Sequence, residues 1–285
     1  MTLPARPFLK WAGGKGQLLA SLRPFVPTAY DRYFEPFLGG GALFFDCLPK
    51  KGHLSDVNAE IVECYVVVRD QVERLIVALG RHCYDADHYY AMRDTDPATL
   101  SPVERAARTI FLNKTGFNGL YRVNRAGKFN VPFGRYAKPL ICDPANLRAC
   151  SAALANVELS VRDFEEASSR ANAGDFVYFD PPYVPVSRTA AFTAYAAGGF
   201  GSKEQERLAS LFAKLIERGV HVLLSNSDVP EIRRLYRGHR IERVRATRAI
   251  NSKASRRGPV SEVLVTALTK TIRGKNRAPS ASRVR

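Results

Sequence analysis

The chain has 285 residues, 46 % of them apolar, and carries 43 Lys and Arg against 27 Asp and Glu, a formal charge of +16. So basic a balance favours a polyanionic partner and argues against an acidic, cation-binding surface. No apolar run approaches the roughly 18 residues of a membrane span, MTLPARPFLKW lacks the apolar run of a signal peptide, and the five cysteines show no CxxC or metal-ligand spacing. A soluble, cytoplasmic protein with free thiols and no metal is the expectation.

In chain order, WAGGKGQ (11–17) comes first. It fails as a phosphate-binding loop. Leu9 stands where the first glycine belongs, Gly16 replaces the Ser or Thr, and no strand precedes it. Trp11 and Lys15 therefore either meet another ligand or simply pack. RYFEPF (32–37) reads as a strand buried on both faces, and Gly39, Gly40 and Gly41 follow it before an apolar helix. HLSD (53–56) is a shorter strand ending in Asp56. A glycine turn after a strand lets a ligand approach backbone N–H donors, and an acid after the next strand can accept from ribose hydroxyls. A plain tight turn is the alternative. The dinucleotide pattern fails, because Phe44 holds its last glycine position.

Residues 58–145 differ in texture. AEIVECYVVVRDQVERLIVALGRHC and SPVERAARTIFLNK are helical patterns, and GFNGLYRVNRAGKFNVPFGRY (116–136) interleaves basic and aromatic residues. Such interleaving suits phosphate neutralisation combined with stacking on or between bases; a structured loop with a solvated face is the bland alternative. The stretch reads as an inserted, mainly helical subdomain between two parts of an α/β domain, 1–57 and 146–269. DFVYFD (175–180) and VHVLLSN (220–226) are further buried strands, with a helix over 202–219 between them. Ser202 and Gln205 are candidate caps of that helix and Gly219 its stop, which makes the unit a parallel crossover. VSEVLVTAL (260–268) is a late strand. The tail from Lys270 carries six basic residues and no acid, and reads as disordered; sixteen less six still leaves about +10 on the rest.

DPPY, Asp180 to Tyr183, follows a buried strand, where ligands of open α/β sheets sit. Pro181 and Pro182 fix the backbone and remove two donors, leaving the Asp180 carboxylate and the Pro181 carbonyl as acceptors beside the flat face of Tyr183. That set suits a planar ring carrying an exocyclic amine. The amine lone pair is delocalised into the ring; acceptors out of the ring plane pull both hydrogens toward tetrahedral geometry and return density to nitrogen, an interaction that grows as positive charge develops. A Pro-rich turn with a surface acid is the structural alternative.

With WAGGK, FEPFLGGGALFF, DVN, NKTGFNGLYR…GKFNVPFGRY, DPPY and LLSNSD in this order, the chain resembles the Dam-type DNA adenine-N6 methyltransferases from about residue 6 to 268. The resemblance implies a Rossmann-like sheet that uses S-adenosylmethionine, with no metal. Trp11, Lys15, Glu35, Pro36, Phe37, Gly39, Gly41, Asp56 and Asp180 would line the cofactor site, and DPPY would hold an adenine turned out of double-stranded DNA. Likeness to GATC-specific members makes 58–145 the target-recognition part. Arg122 and Lys10 would read guanines, Leu120 and Pro132 would touch the thymine methyl, Phe117 would wedge into the stack with Asn118 beside it, and Arg135 would contact DNA. Phe117 stands where the family often has Tyr, so a role for that hydroxyl does not carry over. Arg248, Ser252 and Lys253 would clamp the backbone, or else belong to a mobile basic hairpin loop. A monomer acting at a bacterial or phage-type nucleoid is implied. Transfer to cytosine N4, a catalytically silent DNA-binding relative and an RNA methyltransferase are the other readings.

Overall fold

The computed structural model describes residues 4–11, 13–124, 126–184, 199–247 and 259–267. Arg248, Ser252, Lys253 and the basic tail lie outside the described residues.

Seven strands form one sheet: β1 Tyr33–Glu35, β2 Gly52–Asp56, β3 Val157–Val161, β4 Phe176–Phe179, β5 His221–Ser227, β6 Arg240–Thr247 and β7 Pro259–Thr266, in the order β3-β2-β1-β4-β5-β7-β6. The first five run parallel, and β7 enters antiparallel between β5 and β6. This architecture is consistent with the methyltransferase sheet that the resemblance implies.

Side chains alternate across a strand, and here both faces are apolar. Tyr33, Phe176, Tyr178, Leu223 and Leu264 point to one core, and Phe34, Val177, Phe179, Leu224 and Val263 to the other. The first core is closed by α2 (Ala42–Cys47), α3 (Ala59–Asp70), α4 (Val72–Leu79), α6 (Pro102–Thr115) and α7 (Pro144–Leu154), with the short α1 (Leu19–Leu22) at its margin; α5 (Ala86–Asp94) lies outside it. The second is closed by α8 (Phe164–Ser168), α9 (Ser202–Glu217) and α10 (Pro230–Leu235).

The expected strands correspond to β1, β2, β4, β5 and β7. The two that escape sequence patterning, β3 and β6, are the sheet edges. VELSV and RIERVRAT carry charges into solvent instead of forming apolar runs. The helical pattern from 59 breaks at Gln71, whose φ of −139° ends α3 and starts α4. Helix α9 is capped differently from expectation. Gly201, not Ser202, is the N-cap, and Glu204 accepts its N–H at 3.0 Å. Gln205 is thereby released for another task.

Helices α3, α4 and α6 share the first core with the sheet, through Ile61, Tyr65, Val68, Leu75, Ala107 and Ile110. A separate cluster of Tyr89, Phe111, Leu112, Tyr121, Phe129 and Val131 seats the 116–136 passage on α5 and α6.

Candidate active site

The strand order reverses between β1 and β4, and at such a switch point the carboxyl ends of neighbouring strands open a crevice. Glu35 closes β1, Asp56 closes β2, Asp180 follows β4, and Ser225, Asn226 and Ser227 close β5. One rim of the sheet thus gathers the acids that the sequence scatters over 145 positions.

Asp180 does not stand alone there. Its Oδ1 takes Lys15 Nζ at 2.8 Å and the Ser225 hydroxyl at 2.8 Å. Lys15 is only 5 % exposed; its ammonium also donates to the Gly13 carbonyl at 2.7 Å and stands 4.6 Å from the centre of the Tyr183 ring. Lys15, left open between ligand contact and packing, is therefore the salt partner of the catalytic candidate. The pair commits one carboxylate oxygen; Oδ2 meets no donor among the described residues.

The loop after Asp180 is held by side chains that sequence reasoning missed. Gln205 Nε2 donates to the Pro182 carbonyl at 3.0 Å, and its Oε1 accepts from Asn226 at 3.1 Å. Asn226 Oδ1 accepts the Val184 N–H at 3.4 Å, and the Ser227 hydroxyl donates to the Val184 carbonyl at 2.7 Å. The buried Pro181 carbonyl meets no donor among the described residues, so the acceptor that the sequence assigned is left open. Tyr183 donates its hydroxyl to Glu262 Oε2 at 2.8 Å. Burial, with the Asp180 and Glu262 carboxylates nearby, holds the phenol well above its ordinary range, so it stays protonated. The run Ser225-Asn226-Ser227 at the end of an apolar strand was the available signal for this network.

Beside this loop lies the glycine turn. Gly39 has φ +45°, and a Cβ there would stand 2.5 Å from Trp11 Cδ1, so only glycine allows the indole to lie against the turn. Gly41 (φ +62°) is the N-cap of α2 and sits under the Tyr65 hydroxyl, which donates to the Gly39 carbonyl at 3.2 Å. Asp56 accepts the Gly39 N–H at 3.0 Å and the Asn58 N–H at 2.9 Å. Burial raises its carboxyl while those backbone donors oppose the rise. Pro36 is buried, and Phe37 stacks on Phe164 at 5.5 Å. Glu35, 2 % exposed, accepts from the Tyr33 hydroxyl at 2.8 Å, and burial pushes its carboxyl up to about 8. A turn without side-chain bulk, a flat indole and a carboxylate already oriented by N–H groups fit a nucleoside joined to an amino-acid group.

The 116–136 passage is laced by tyrosines. Tyr89 donates to the Val131 carbonyl at 2.9 Å, Tyr84 to Gly134 at 2.6 Å and Tyr136 to Gly116 at 2.9 Å. Phe117, 43 % exposed, stands at the tip, beside Asn118 at φ 55°. Lys10 lies against that turn: its stem fills the space over Gly119, and its ammonium is 4.1 Å from the Tyr136 ring centre. Arg122 is exposed and docks on Asn130, Nε to Oδ1 at 2.7 Å; Pro132 and Arg135 are exposed on the same passage, and Leu120 is half-buried in it. Tyr121, next to Arg122, packs at a tilt of 35° against Trp11 with centroids 5.4 Å apart, joining this passage to the glycine turn.

A family model described as D12 class N6 adenine-specific DNA methyltransferase matches residues 11–250. The chain is 44 % identical over 269 residues to the type II methyltransferase M1.LlaDCHI of Lactococcus lactis subsp. cremoris, covering 92 % of this chain and 95 % of that one. It is 42 % identical over 277 residues to the type II methyltransferase M.MjaIII of Methanocaldococcus jannaschii, covering 90 % and 96 %. To the DNA adenine methylase of Escherichia coli K12 it is 35 % identical over 265 residues, covering 91 % and 94 %.

Proposed function

The chain belongs to the D12 class of N6 adenine-specific DNA methyltransferases, and on that premise we propose that it methylates adenine within GATC in double-stranded DNA, turning the base out of the helix and using S-adenosylmethionine. Membership itself makes it a site-specific DNA adenine methyltransferase and sets aside the cytosine-N4, RNA and silent-relative readings. Among the described residues no helix is long and apolar enough to cross a membrane. We take the enzyme to work as a cytoplasmic, nucleoid-associated monomer.

The observation that carries the mechanism is the pair of open acceptors at the end of β4. Asp180 Oδ1 is committed to Lys15 and Ser225, so Oδ2 takes one amine hydrogen and the Pro181 carbonyl takes the other. Both pull from outside the ring plane, and the carboxylate charge stabilises the positive charge developing on nitrogen. Tyr183 offers its face to the purine. Trp11, Glu35, Pro36, Phe37, Gly39, Gly41 and Asp56 hold the cofactor, with Lys15 and Asp180 at the boundary between the two ligands. When bound, S-adenosylmethionine supplies an electrophilic sulfonium methyl group. Lys15 holds the Asp180 carboxylate in place before the base arrives.

Recognition lies mainly within 58–145, with Lys10 joining it from the N-terminal segment. Arg122 and Lys10 read guanines, Leu120 and Pro132 contact the thymine methyl, Phe117 enters the gap beside Asn118, and Arg135 meets the backbone. Arg248, Ser252 and Lys253 add phosphate contacts. Incubating GATC-containing and GATC-free duplexes with the protein and S-adenosylmethionine, then analysing nucleosides by mass and methylated positions by sequencing, tests the proposal. It predicts N6-methyladenine at GATC alone; methylation spread over other adenines would remove the specificity.

A further inference from the structure

Glu262 on β7 is a buried acid that the reaction just described does not use. It is 6 % exposed, stands opposite Ser227 in the β5–β7 register, and takes the Tyr183 hydroxyl at 2.8 Å. The backbone around Tyr183 is fixed independently, by Gln205 at Pro182 and by Asn226 and Ser227 at Val184. Those three bonds go to backbone atoms of Pro182 and Val184. A tyrosine ring turns about two side-chain torsions; Lys15, 4.6 Å from the ring centre, bears on its face, while the direction of its long axis is left to whatever holds the hydroxyl. The tether at the far end of the ring fixes that axis, because the hydroxyl oxygen lies on it.

We propose that Glu262 is a positioning residue for methyl transfer: through the Tyr183 hydroxyl it holds in place the long axis of the ring against which the extruded adenine stacks. The inference rests on the stacking role given to Tyr183 above. Misplacing a reacting group by about 1 Å can cost two orders of magnitude, so releasing one ring tether should lower kcat by about tenfold. The cofactor KM should not change, because the effect is routed through the Tyr183 ring and not through the glycine turn.

The test is kinetic, using full-length protein, a GATC duplex and S-adenosylmethionine; a separate duplex with 2-aminopurine at the target position, which lacks the N6 amine and is not methylated, reports the extruded base. Glu262→Ala and Tyr183→Phe should each lower kcat about tenfold, and the double variant should be no slower than Tyr183→Phe alone. Glu262→Gln, which still offers an acceptor oxygen, should retain most of the turnover. If Glu262→Ala is as harmful in the Tyr183→Phe background as in the native one, or harmless in both, the assignment fails. Should Glu262→Ala not fold, the other two single variants decide: near-native Glu262→Gln with a slow Tyr183→Phe supports the role, and the reverse overturns it. Failure of the stacking role itself reads out separately, as normal turnover and a normal 2-aminopurine signal in Tyr183→Ala.

Discussion

Replacing Asp180 with Ala should do two separable kinds of damage. The first is catalytic: loss of a preorganised group that stabilises developing charge costs about 10²–10³ in kcat, roughly 3–4 kcal/mol. The second is structural. Lys15 is 5 % and Asp180 19 % exposed, and their charged atoms are 2.8 Å apart. At an effective dielectric near 20, charges at that distance attract by about 6 kcal/mol, and stranding one member of a buried pair typically costs about 3–5 kcal/mol net. Lys15 keeps the Gly13 carbonyl and the Tyr183 ring face, so the lower end is expected. Urea unfolding should show Asp180→Ala less stable by about 3 kcal/mol, a midpoint lower by about 1 M. Adding Lys15→Met removes the stranded ammonium and keeps most of its stem volume, so the double variant should regain most of the stability and none of the activity. Single-turnover methyl transfer measured beside the unfolding curves separates the two effects. Near-normal turnover in Asp180→Ala would refute the catalytic assignment. A double variant no more stable than Asp180→Ala would refute the ion-pair account.

Three other perturbations follow from the same geometry. Arg122→Ala should relax discrimination at one base pair by about 1–3 kcal/mol with the fold intact; an unchanged preference across single-substituted GATC duplexes would exclude a reading role. Gly39→Ala places a methyl group 2.5 Å from Trp11 Cδ1 at a left-handed φ, so cofactor affinity should fall about tenfold or more; the fluorescence of Trp11, the chain's one tryptophan, reports it, and an unaltered titration would count against the turn. Glu35, pushed by burial to about 8 from an ordinary value of 4.5, is protonated in the folded chain over a range where the unfolded chain has lost its proton. Its contribution to stability is full below about 4.5 and is lost as pH rises through 8, so Glu35→Gln should flatten the fall in urea midpoint between pH 5 and 8.5; parallel curves for the two proteins would contradict this.

Much of this was legible because buried parallel strands leave continuous apolar runs. RYFEPF, DFVYFD and VHVLLSN each announce a strand, and the acid or polar residue that ends each one marks the rim where ligands sit. Edge strands leave no such trace: in RIERVRAT Ile241 and Val244 are only partly buried, each against a different core, and the arginines disguise the strand. The support of the site was hidden for a different reason. Gln205 has capping spacing from Ser202, and only the packing of α9 beside β5 turns it toward Pro182. Asp180 and Lys15 lie 165 positions apart, as do Tyr183 and Glu262 at 79, and no local periodicity reports such pairs. The Trp11–Tyr121 ring contact belongs with them. What the chain's pattern does convey is chemistry at strand ends; which side chains orient that chemistry is decided by tertiary approach.

The most direct measurement is a crystal structure of the protein with a GATC duplex and a non-reactive cofactor analogue. The account predicts the target adenine outside the helix against Tyr183, with its amine nitrogen within about 3 Å of both Asp180 Oδ2 and the Pro181 carbonyl oxygen. An adenine bound in the crevice whose amine meets neither oxygen, with Asp180 still paired only to Lys15 and Ser225, would contradict it.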